Sequence, residues 1–163
     1  MLLASSATLL SSTDPGESIR WITWEQAVKL NKDSPKKIFI DVYTDWCGWC
    51  KRMDATTFQE PEVVKYMNEH FYAVKLDAEM KEKIRFRDQD FKWVNTGRRG
   101  VHTLAYSLLE GRMSYPSFVT LNENFDRIAI MPGYKKGEQL IKELRFAAED
   151  KYKETSWEDF NRG

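Results

Sequence analysis

The chain's two cysteines fall in Trp46-Cys47-Gly48-Trp49-Cys50-Lys51, directly after an apolar run that ends at Tyr43. A C-x-x-C pair in that position suits a thiol–disulfide redox centre. A strand over residues 37–43 delivers the chain to a short turn, and a helix begins at or just after the first cysteine. A thiol at a helix N-terminus faces unpaired N–H groups and the positive end of the helix dipole, which favours its thiolate. The second thiol, one turn further on, can attack a mixed disulfide and release what the first has captured.

The competing chemistry is zinc, because a C-x-x-C is also half of a metal site. A structural zinc needs four nitrogen or sulfur ligands, and the chain offers these cysteines plus His70 and His102. The histidines are far apart in sequence and form no H-x(3–5)-H pair. His70 ends a helical stretch and His102 opens another, so structural or surface roles suit both better than metal ligation.

The elements that must position this centre fit one domain of 163 residues. Lysine plus arginine and aspartate plus glutamate both number 25, so the net charge is zero and nothing points to nucleic acid or a polybasic membrane surface. No stretch is long and apolar enough to span a bilayer. Residues 1–18 read as a tail. Met1 to Ser12 is rich in leucine and small residues, like the end of a secretory leader, but lacks its basic start. Export to a periplasm-like compartment is the expectation, with a cytoplasmic protein carrying a plain tail as the alternative.

A short strand is expected within 19–23, then a helix over 24–30 capped by Thr23. Residues 37–43 are nearly all apolar, as in a central strand covered on both faces. An aspartate there, Asp41, is expensive unless it has a task. Helical pieces over about 50–57 and 62–70, with Pro61 in the first turn of the second, lead to a strand over 71–76. Apolar and charged residues then alternate over 83–94, which reads as a single β-hairpin turning at Asp88-Gln89-Asp90. A basic loop over 95–100 and a helix over 101–109 follow. Strands over 117–122 and 127–131 form an antiparallel pair, an amphipathic helix begins at Gly137, and residues 151–163 form a charged tail.

This order of elements resembles the thioredoxin fold over roughly residues 19–148. The stretch from Ile40 to Lys51 is similar to the thioredoxin segment ending in W-C-G-P-C-K. Asp41 falls where that family keeps a buried carboxylate, and Lys75 in Val74-Lys75-Leu76-Asp77 falls at its lysine partner. Tyr115-Pro116 matches the cis-proline dipeptide, and Gly133 the glycine after the last strand. The resemblance implies an α/β thioredoxin domain over 19–150: a central mixed sheet with flanking helices, plus a hairpin insertion over 80–100 before the cis-proline helix. Trp49 departs from the family's proline, so the redox potential cannot be carried over. The segment from Met53 to Val63 also resembles the reducing domains of transmembrane disulfide reductases and small exported bacterial relatives.

On this reading Cys47 is the exposed attacking thiol, Cys50 the resolving thiol, and Asp41 a base for Cys50 moderated by Lys75. A purely structural Asp41–Lys75 pair is the alternative. Tyr115 and Pro116 would offer backbone to a substrate peptide, and Trp46 and Trp49 are either an apolar landing surface or packed in place. Arg98, Arg99 and His102 either contact a partner or belong to a solvated loop, and the loop suits them better. The implied activity is reduction of protein disulfides, or electron carriage between thiols, by a monomer that needs no cofactor beyond its own cysteine pair and is recharged by an upstream thiol reductant. An oxidase or isomerase would use the same residues. A redox-inactive binding module is the alternative of another class.

Overall fold

A computed structural model describes residues 16–163, so the leader-like segment falls mostly outside the described residues. Strand β2 (Lys37–Tyr43) is buried along almost its whole length and forms the middle of a five-stranded sheet. On one side it pairs in parallel with β3 (Phe71–Asp77), which pairs with the short β1 (Trp21–Ile22). On the other it pairs antiparallel with β8 (Ser117–Leu121), followed by the edge strand β9 (Arg127–Pro132).

Each face of the sheet carries a core. Ile38, Ile40, Val42, Val74, Leu76, Val119 and Leu121 pack with helix α1 (Trp24–Asp33) and helix α4 (Thr103–Leu108). Phe39, Ala73 and Phe118 pack the opposite way, against α2 (Gly48–Ala55), α3 (Pro61–His70) and α5 (Gly137–Ala148). Phe39 stacks on Phe118 with centroids 5.5 Å apart, and Phe58 meets both edge-on. Burying each such ring contributes about 2–3 kcal/mol. By strand alternation Asp41 belongs to this second face, two residues beyond Phe39.

Local chemistry sets the helix ends. Thr23 and Gln26 form a reciprocal capping box at α1, with bonds of 3.2 and 2.9 Å. Helix α2 starts just after Cys47, as expected, with Cys47 itself as the N-cap, and ends at Ala55. A separate 3₁₀ turn, Thr57–Gln59, follows, and Pro61 opens α3.

The expected hairpin over 84–94 is two hairpins. Strands β4 (Ile84–Phe86) and β5 (Gln89–Phe91) close on a two-residue turn at Arg87-Asp88, both in the left-handed region with φ of 49° and 61°. Trp93 does not share their sheet. It lies in β6 (Trp93–Asn95), which pairs with β7 (Gly100–His102). The expected helix over 101–109 is therefore shorter at its start. His102 donates its backbone N–H to Ala78 O at 2.7 Å, and its Nδ1 accepts from Leu104 N–H at 3.3 Å, capping α4.

The charged residues 151–163 are anchored through Trp157 and Phe160, two aromatic side chains that the sequence offers for that role. A 3₁₀ turn (Lys151–Lys153) and helix α6 (Trp157–Arg162) bring Tyr152, Trp157 and Phe160 onto Phe146 of α5. No helix among the described residues is long and apolar enough to cross a membrane.

Candidate active site

Strand β2 ends at Tyr43, and the turn that follows is fixed by the Cys47 N–H donating to Thr44 O at 3.2 Å. This sets Cys47 at the start of α2, where its Sγ accepts the Cys50 backbone N–H at 3.1 Å. The two cysteines are joined as a disulfide, with Cα atoms 5.3 Å apart. The expectation that Cys47 is exposed needs correction for this disulfide form: Cys47 is 4% and Cys50 3% exposed. The indoles on either side account for the visible surface. What distinguishes the sulfurs is the helix terminus, since Cys47 alone occupies the cap.

Asp41 and Lys75 are direct neighbours in the β2–β3 register, and their side chains meet at 2.6 Å between Oδ2 and Nζ. Lys75 Nζ also reaches Asp54 Oδ1 at 2.5 Å, tying the pair to α2 one turn beyond Cys50. The rings of Trp21 and Tyr43 each lie 5.0 Å from this ammonium. Burial raises the Asp41 pKa to about 6; Lys75 pulls against that rise, and Asp54 adds to it. Burial disfavours the Lys75 cation, but Asp41 and Asp54 outweigh it and hold its pKa above the usual lysine range. The arrangement can therefore hold or release a proton near neutral pH beneath the helix that carries the disulfide.

The two tryptophans are exposed rather than packed into the core, at 50% and 57% exposure. Trp46 meets Tyr115 edge-on at 5.8 Å and donates its Nε1–H to Glu79 Oε1 at 3.1 Å. Trp49 lies against Tyr134 at 5.5 Å. Tyr115-Pro116 is a cis peptide, and the Gly133 N–H donates to Pro116 O at 2.8 Å.

The structure thus brings together Cys47 and Cys50, Asp41 and Lys75, and Trp46 and Tyr115. Sequence reasoning missed Asp54, although a carboxylate four residues after Cys50 lies on the same helix face and was a usable signal. Arg99 is exposed in the turn after β6, as a solvated loop residue would be, and its guanidinium also lies 4.4 Å from the Trp46 ring centroid. His102 is buried, with Nε2 3.0 Å from Glu82 O, and among the described residues no group of His, Cys, Asp and Glu could hold a metal.

The family described as Thioredox_DsbH, protein of unknown function (DUF255), matches residues 2–104. An uncharacterized Caenorhabditis elegans protein is 30% identical over 83 residues, which are 50% of this chain and 11% of that protein. This chain therefore spans about a tenth of that relative's length. A thioredoxin-fold protein from Helicobacter pylori superposes with a TM-score of 0.59 at 19% identity, covering 87% of this chain and 82% of that one. A DsbH oxidoreductase superposes at 0.58 with 19% identity, covering 88% and 95%. The fold is the thioredoxin fold.

Proposed function

The chain belongs to the Thioredox_DsbH family, and on that premise we propose that it is a thiol–disulfide oxidoreductase that reduces protein disulfides or carries electrons to them. The observation that carries this reading is the cysteine pair at the N-terminus of α2, above a buried carboxylate whose pKa is raised to about 6. A redox-inactive binding module has no use for that carboxylate, whose burial is costly.

The reaction balances on these residues. In the reduced protein the Cys47 thiolate attacks one sulfur of a substrate disulfide. That S–S bond breaks, the departing substrate sulfur takes a proton from solvent, and a mixed disulfide on Cys47 remains. Cys50 gives its proton to Asp41 and attacks Cys47 Sγ, expelling the second substrate sulfur. Two electrons pass to the substrate, and the protein is left as the disulfide seen here. A dithiol reductant upstream restores it. Lys75 keeps Asp41 ionised often enough to serve as the base, and Asp54 keeps Lys75 in place. Trp46 and Trp49 supply apolar surface for a polypeptide on either side of the sulfurs.

The test is single-turnover reduction of a protein disulfide by stoichiometric reduced protein. One substrate disulfide should open per chain, and Cys47→Ser should abolish the reaction. Cys50→Ser should stall it as a mixed disulfide. Absence of thiol transfer by the folded, reduced protein would overturn the reading.

A further inference from the structure

Each tryptophan beside the disulfide carries an arginine. Arg99, from the turn between β6 and β7, lies 4.4 Å from the Trp46 ring centroid, and Arg52, on α2, lies 5.5 Å from that of Trp49. Trp46 immediately precedes Cys47 and lies against Tyr115, while Trp49 immediately precedes Cys50 and lies against Tyr134, so the two cations are carried by separate indoles beside the disulfide. Lys51 and Arg98, next in sequence to Arg52 and Arg99, are exposed as well. In a chain whose charges balance at 25 of each sign, this is a local concentration.

The acidic groups nearby offset it in part. Asp54 is engaged by Lys75. Glu79 is partly buried, accepts the Trp46 indole N–H through Oε1, and forms a long ion pair with Arg99 Nη1 at 3.9 Å. Asp45 is exposed and interacts electrostatically with half-buried Asp77, so two further acids stand on the Trp46 side. Arg52 is also held by the Tyr134 hydroxyl, and a guanidinium lying on an indole still has N–H groups left to meet a carboxylate.

We infer that Arg99 and Arg52 make the rim select substrate polypeptides with acidic side chains next to the cysteine to be reduced. The inference rests on the oxidoreductase reading above and names its substrate class. An extended peptide crossing the disulfide contacts Trp46 on one side and Trp49 on the other. Carboxylates flanking its cysteine then meet the two guanidinium edges. The insertion that carries Arg99 thereby acts in specificity while contributing no group to the sulfur chemistry.

The experiment uses the reduced protein alone, in single turnover, with three peptide disulfides that differ only in the residues flanking each cysteine: glutamate, glutamine or lysine. The glutamate peptide should react about fivefold faster than the lysine peptide at low salt, with the preference shrinking as salt is raised. Arg99→Gln should reduce this ratio, and the Arg52→Glu/Arg99→Glu pair should invert it. Arg99→Lys keeps the charge but not the planar guanidinium and should restore only part of it. The glutamine peptide separates the two claims. If it is not reduced, the oxidoreductase reading fails and this inference with it. If all three react alike, or the ratio is unmoved in the folded double variant, the selectivity inference alone is overturned.

Discussion

The Lys75 ammonium lies 2.6 Å from Asp41 Oδ2, while Asp41 Oδ1 is buried with no hydrogen-bond partner. One cation thus offsets the burial of the carboxylate only in part, and the pKa rises from 3.8 to about 6. Between those pH values the native protein holds a proton that the unfolded chain has lost. The contribution of Asp41 to stability is therefore fullest below about pH 4 and is lost as the pH rises through about 6.

Asp41→Asn should accordingly stabilise the oxidised protein by about 2–3 kcal/mol at pH 8 and by little at pH 4. Lys75 keeps Asp54 as a partner in the variant, so no cation is stranded. Urea unfolding at the two pH values reads the difference directly. Equal effects at both would mean that Asp41 is not held protonated more readily in the folded state.

The same variant should leave the first attack by Cys47 unchanged and slow release from the mixed disulfide. The expected loss at pH 7 is on the order of 10²-fold, typical of removing a positioned base. Stopped-flow measurement of the two steps separates them. Unchanged release would reduce Asp41 to a structural partner of Lys75.

Since neither sulfur is exposed in the disulfide form, the order of reactivity rests on the helix terminus. In the reduced protein at pH 6, Cys47 should be alkylated by iodoacetamide about tenfold faster than Cys50. Peptide mapping of the labelled protein gives the order, and faster labelling of Cys50 would reverse the assigned roles.

Legibility in the sequence followed the strength of local signals. The apolar run of β2 and the Thr23 cap each carry their own physical signature, and the corresponding elements formed close to the expected residues. The Asp41–Lys75 pair came from resemblance, and the parallel register of β2 and β3 brings it together. The insertion was misread because alternation over 83–94 does not reveal where one hairpin stops. Trp93 alternates in phase with Phe91 but pairs with His102 of another strand. Arg99 on Trp46 was illegible for the same reason, since only the second hairpin carries that turn to the site.

That second hairpin makes its own prediction. A Cβ at Gly100 would lie 1.8 Å from Trp93 ring atoms, so Gly100→Ala must push the indole off its seat beneath Lys81. A loss of roughly 1 kcal/mol is expected. Thermal unfolding and the near-ultraviolet aromatic signal report it, and an unchanged pair of signals would show that the hairpin absorbs the methyl group.

The central claim, that the Cys47–Cys50 couple serves as a reductant, is tested most directly by its reduction potential. The value follows from equilibrating the protein against defined glutathione buffers and quantifying the free thiols. The account predicts a potential of about −220 to −280 mV, in the range of glutaredoxins and thioredoxin. A value near about −120 mV, typical of a strong oxidant, would contradict it.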